Sequence, residues 1–172
     1  MTSADTITLQ EAASLSSDER GLVVVSTLRA NGTIQSSLVN AGVLAYPATR
    51  ETILALVASG PVKLANLRAR PQVTATFRNG WQWAAVEGRA EIAGPDDPQP
   101  WLDAEGLRLL LRAIFTAAGG EHDDWDEYDR VMAGQRCSSA PTGFTAANGG
   151  RQYRNHAARQ GNSLPRPKIV AS

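Results

Sequence analysis

Ser59-Gly60-Pro61-Val62-Lys63-Leu64-Ala65-Asn66-Leu67-Arg68-Ala69-Arg70-Pro71 is the stretch on which the fold hinges. Pro61 suits the first position of a helix, Ser59 or Gly60 can cap it, and Pro71 stops it after about two turns. At ~100° per residue, Lys63, Asn66 and Arg70 share one face, with Leu67 as its packing contact. The free N–H groups and positive dipole end of such a helix attract phosphate, and Lys63 adds a full charge in the first turn. Taken alone, the segment allows two readings: an anion-binding helix start, or a solvated helix whose basic residues keep it soluble.

Upstream, the β-branched run at 22–28 has the composition of a buried strand. Asn31-Gly32 supplies a tight turn, residues 33–46 return as a second strand, and residues 52–58 form a third. Downstream, residues 72–78 form strand four, and Asn79-Gly80 turns it into strand five at 81–93. Two hairpins flanking one short helix argue for a small antiparallel barrel, mainly β or α+β, rather than a doubly wound sheet.

Beyond the barrel, the Pro-rich segment 94–100 is a loop. Leu107, Leu110, Leu111, Ile114, Phe115 and Ala118 then recur at helical spacing before Gly119-Gly120. A further helix is expected at 125–132, with Asp124 as N-cap and Glu127 completing a capping-box pattern. A short helix is also expected near 9–15. From 138 to 172 neither period is present, so residues 1–136 read as the domain and 137–172 as an atypical, poorly ordered tail.

Strand five separates by period two. Gln82, Ala84, Val86, Gly88, Ala90 and Ile92 should face the interior, leaving Trp81, Trp83, Ala85, Glu87, Arg89 and Glu91 outside. The exposed tryptophans suit either a subunit interface or a platform for a planar ligand. On strand two, Gln35, Ser36, Ser37 and Asn40 put amides and hydroxyls where apolar residues would be usual. They could hydrogen-bond a heteroaromatic edge, or simply wet an edge strand.

Equal numbers of basic and acidic residues, 17 each, leave no field to hold a polyanion, so nucleic acid is not an expected partner. No apolar run approaches the ~20 residues of a membrane span, and the lone Cys137 fits a reducing compartment, so a cytoplasmic protein is expected. Glu121-His122-Asp123-Asp124 resembles metal-ligand material. Its acids, however, suit a helix start, and the only other histidine is the distant His156, so no metal site is expected. No nucleophilic triad, P-loop or dinucleotide fingerprint is present, and no catalytic group can be assigned. A bound redox cofactor is the economical source of reactivity.

The order of these blocks resembles the pyridoxamine 5′-phosphate oxidase-like split β-barrel family, in the branch that uses the deazaflavin coenzyme F420. The resemblance covers roughly residues 8–136. It is carried by residues 22–28, Asn31-Gly32 with Gln35 and Ser37, the 60–68 run with Pro71, residues 80–90 (GWQWAAVEGRA), and residues 120–128 (GEHDDWDEY). It implies an FMN-binding-like, antiparallel Greek-key barrel with inserted and appended helices, a homodimer, and a cofactor in the groove between subunits. Carried over, Ala58, Ser59, Lys63 and Asn66 lie at the cofactor, with Gln35, Ser37 and Trp81 along its ring or the neighbouring wall. The implied chemistry is hydride transfer between F420 and a small or planar unsaturated substrate. The alternatives are FMN as cofactor, or a non-catalytic protein that binds a cofactor or tetrapyrrole. Relatives close the barrel with a last apolar strand, and 137–150 shows no such alternation.

Overall fold

The structure, a computed structural model, describes residues 7–135, 139–145 and 152–154. The elements run α1 (Leu9–Ser14), β1 (Leu22–Leu28), β2 (Ile34–Ala45), β3 (Thr52–Ser59), α2 (Pro61–Ala69), β4 (Gln72–Asn79) and β5 (Gln82–Ile92). After these come α3 (Ala104–Ala117), α4 (Trp125–Gln135), β6 (Ser139–Thr145) and β7 (Gln152–Arg154). The sheet order is β4-β1-β2-β3-β6-β5-β7, and β4 also pairs with β5, so six antiparallel strands return on themselves as a barrel. No helix among the described residues is long and apolar enough to cross a membrane.

The turns behave as their residues require. Gly32 sits at a φ of 82° and Gly80 at 56°, angles that a side chain disfavours. The Asn31 side-chain oxygen accepts from the Thr33 amide at 3.1 Å, fixing the first hairpin. Thr8 and Glu11 form a reciprocal capping box on α1, and Asp103 caps α3 by accepting from the Gly106 amide at 2.7 Å. At α4, Asp124 Oδ1 accepts from the amides of Asp126 and Glu127, as its N-cap assignment requires.

Val23, Val25, Leu54, Leu56, Ala75, Phe77, Ala84 and Val86 fill the barrel, and Leu64 and Leu67 of α2 belong to the same core. The alternation expected for β5 is realised: Ala84, Val86 and Ile92 are buried, while Trp81, Trp83, Glu87 and Arg89 are exposed. β3 is buried on both faces, because Ile53 and Ala55 pack outward with Ile114 of α3. A Cβ placed on Gly42 would lie 2.5 Å from Ala117, so α3 presses its backbone directly onto β2 there.

β6 is a finding the sequence pattern does not anticipate. Residues 139–145 pair with β3 along their whole length, and residues 142–145 also pair with β5. Ladder hydrogen bonds come from the backbone, so two open strand edges can accept a segment without side-chain alternation. Pro141, opposite Val57 of β3, falls just before the doubly paired stretch, where only one strand lies alongside. Of the expected tail, residues 139–145 and 152–154 are described as β6 and β7, while Cys137, His156 and the remainder lie outside the described residues.

Candidate functional site

Gly60, at a φ of 100°, is the residue through which β3 turns into α2, and Pro61 opens the helix. The helix is not solvated on its basic face. Lys63 is only 4% exposed and Asn66 5%, lying beside the core residues Leu64 and Leu67. Among the described residues the Lys63 ammonium has no carboxylate and no hydrogen-bond acceptor, and burial lowers its pKa from the usual 10.5. Arg70, on the same face by period, instead donates from Nε to the Leu28 carbonyl at 3.0 Å.

Asn66 joins two strands. Its Nδ2 donates to Thr27 Oγ1 at 3.2 Å and to Gln35 Oε1 at 3.0 Å. Thr27 and Gln35 are directly opposite in the β1–β2 ladder, with Ser37 two residues along the same face, opposite Val25. With its oxygen occupied by Asn66, Gln35 presents Nε2 as the donor it has left to offer. Gln35 and Asn66 are therefore joined by a direct hydrogen bond, and Ser37 is their neighbour on β2. Ala58 is fully buried in the barrel core, in register with Ala140 of β6. Ser59 ends β3 immediately before Gly60.

Trp81 stands apart. It is 85% exposed in the β4–β5 turn. Val73 of β4 is opposite Thr27, and the six residues from there to Asn79 span about 20 Å of strand. Within one chain, Trp81 is not brought to Gln35 or Asn66.

Sequence reasoning misses a groove of about 460 Å³ between the outer face of β2–β3 and the α3–α4 pair. Leu38, Asn40, Val57, Ile114, Phe115 and Met132 line it, with Arg20 at its exposed rim. Leu38 and Val57 are the immediate chain neighbours of Ser37 and Ala58, so by the period of two the groove lies on the opposite face of the sheet from the predicted cofactor contacts. Gly42 is the one sequence signal that bears on it, since it lets α3 lie close against β2.

The acidic run before α4 has a structural role. His122 Nδ1 accepts from the Asp124 amide at 3.1 Å, and the imidazole packs among Phe115, Trp125 and Tyr128. Asp129 ties α4 to α3 by accepting from Arg108 at 2.8 Å and from Arg112 at 2.6 Å. These guanidiniums hold its carboxyl at about 2, below the usual 3.8.

No family model matches the chain. Among solved structures, a conserved hypothetical protein from Mycobacterium tuberculosis aligns over 100% of this chain and 97% of its own, at 16% identity and a TM-score of 0.61. The heme storage protein HutZ from Vibrio cholerae aligns over 84% of this chain and 92% of its own, at 13% identity and a TM-score of 0.52. A protein from Clostridium acetobutylicum, related to general stress protein 26 of B. subtilis and described as of the pyridoxinephosphate oxidase family, aligns over 85% of this chain and 87% of its own. Its identity is 16% and its TM-score 0.51. The chain has the α+β split-barrel fold of pyridoxinephosphate oxidase-like proteins.

Proposed function

We propose that this chain is an oxidoreductase that binds coenzyme F420, transfers a hydride between the deazaflavin and a small or planar unsaturated substrate, and works as a homodimer. Lys63 carries this reading. A buried ammonium without a partner costs several kcal/mol on the order of magnitude known for buried ions, and an apolar side chain would fill the same space without that cost. An acidic group arriving at the start of α2 offsets it, because the helix dipole and the first-turn N–H groups converge with Lys63 there.

Lys63, the Ser59–Gly60 backbone and the first turn of α2 would hold the acidic tail of the cofactor. Gln35, with its oxygen held by Asn66, would offer Nε2 N–H groups to the ring edge, and Ser37 a hydroxyl. When bound, the deazaflavin supplies the hydride chemistry. The chain's own residues bind, orient and exclude water, and positioning is their main contribution. The resemblance of residues 60–68, 80–90 and 120–128 to the F420-using branch is what favours F420 over FMN.

Dimerisation is supported by the uncovered outer face of β1 and β2. Ile34 is 66% and Leu38 61% exposed there, opposite Leu28 and Val24, which are also exposed. Exposed apolar side chains on a sheet face, here in two pairs either side of the Ser26–Ser36 hydrogen bond, suit an interaction surface.

The test is a fluorescence titration of purified protein with F420 and, separately, FMN, with heme followed by its Soret band. F420 is expected to bind at least about tenfold more tightly than FMN, and Lys63→Ala to lose at least about tenfold in affinity, the scale of one charge-assisted hydrogen bond. Preferential binding of FMN or heme, or an affinity for F420 indifferent to Lys63, overturns the reading.

A further inference from the structure

We propose that the groove between the β2–β3 face and the α3–α4 pair takes flat, apolar acids, with Arg20 holding their carboxylate; this binding is independent of the oxidoreductase reading above. At about 460 Å³ the groove has the size of a small-molecule site. Leu38, Val57, Ile114, Phe115 and Met132 make its walls apolar.

Its polar groups are nearly all committed. Asn40 Nδ2 donates to the Arg20 carbonyl at 2.8 Å, and Tyr128 Oη donates to the Leu111 carbonyl at 3.1 Å. Arg20 is different. Among the described residues its guanidinium has neither an acidic partner nor a hydrogen bond, a state it shares with Arg50, whereas Arg29, Arg70 and Arg130 donate to hydroxyl or carbonyl oxygens and Arg68, Arg78, Arg108 and Arg112 pair with acids. A guanidinium is suited to grip a carboxylate through two parallel N–H donors.

The backbone keeps Arg20 in place at a cost. It sits in the left-handed region at φ 52° and ψ 48°, held by its own amide donating to the Ser17 carbonyl at 3.2 Å and by the Asn40 bond to its carbonyl. Strained positions of this kind, in a residue other than glycine, concentrate at ligand sites. An apolar trough with one unpaired cation at its mouth matches a ligand with a flat hydrocarbon body and a single acid group.

The experiment titrates the full chain with 2-naphthoate and with its neutral isostere 2-naphthamide, followed by calorimetry. The acid is expected to bind at least about tenfold more tightly, Arg20→Gln to abolish that preference, and Arg20→Lys to keep part of it. Met132→Trp, which fills the groove, is expected to weaken both ligands, with unchanged circular dichroism confirming the fold. Equal binding of acid and amide, no binding of either, or a preference that survives Arg20→Gln overturns the proposal. If F420 binds through Lys63 while the acid preference is missing, this site alone fails. If the preference is present while F420 does not bind, the site stands and the cofactor reading falls.

Discussion

Lys63→Met is expected to raise the stability of the ligand-free protein while weakening its hold on the cofactor. Methionine keeps the length and the apolar stem that pack beside Leu64 and Leu67, and it removes an ammonium that is buried with no partner among the described residues. Replacing buried charge by well-packed apolar groups is neutral or stabilising by ~1–4 kcal/mol, and here a gain of ~1–3 kcal/mol is expected. Loss of a charge-assisted hydrogen bond to the ligand costs ~1.5–3 kcal/mol, or about 10–150-fold in Kd. With F420 at 100 times the wild-type Kd, the native protein should gain ~2.7 kcal/mol and a variant bound 100-fold more weakly only ~0.4 kcal/mol. Urea unfolding of both proteins, with and without F420, measures all four quantities. The pH dependence has a defined sign. Burial lowers the Lys63 pKa below 10.5, so the unfolded chain binds the proton more tightly. Wild-type stability relative to Lys63→Met should therefore rise as pH climbs from the lowered folded value toward 10.5. A ligand-free variant that is less stable by more than about 1 kcal/mol, together with unchanged F420 affinity, would refute the reasoning, because Lys63 would then be a satisfied structural residue.

Gly42→Ala drives a methyl into the Ala117 backbone at 2.5 Å and is expected to cost ~2–3 kcal/mol, read as a fall in Tm of roughly 5–10 °C. Asp129, held at about 2 by Arg112 and Arg108, contributes stability that is present above its usual 3.8 and lost as pH falls through about 2. Trp125 fluorescence should report α4 loosening in that window, and Asp129→Asn should remove this transition while leaving β-sheet circular dichroism intact. Asn66→Ala leaves Gln35 free to rotate and is expected to destabilise by ~1–3 kcal/mol and weaken F420 binding, measured by unfolding and by the same titration. Leu38→Glu, placed on the exposed β2 face, should yield a monomer in sedimentation velocity if that face is the subunit contact.

The barrel was readable because its signals are local. Asn31-Gly32 and Asn79-Gly80 force tight turns, the period-two alternation of β5 names its inner face, and Pro61 and Pro71 bracket α2 to within two residues. The inward aim of Lys63 was not readable, because a 3.6-residue period says which residues share a face but not whether that face meets solvent or core. The same limit hid the Asn66–Gln35 bond, since only the β1–β2 ladder and the placement of α2 bring positions 31 residues apart together. β6 was illegible for a different reason. Its position is dictated by the open edges of β3 and β5, which lie far from it in sequence and leave no trace in its own side chains.

That late strand fixes when the barrel can close. β3 leaves the ribosome some eighty residues before β6, and until residue 145 has been made, the edges of β3 and β5 both present unpaired backbone groups. A nascent chain of this protein thus carries one sticky seam once β3 is made and a second once β5 is made, and at ~5–20 residues per second the longer exposure lasts ~4–16 s. Protection of those seams, by α3 lying against β2 and β3 or by a chaperone, matters more for its yield than the strength of any single contact in the finished barrel.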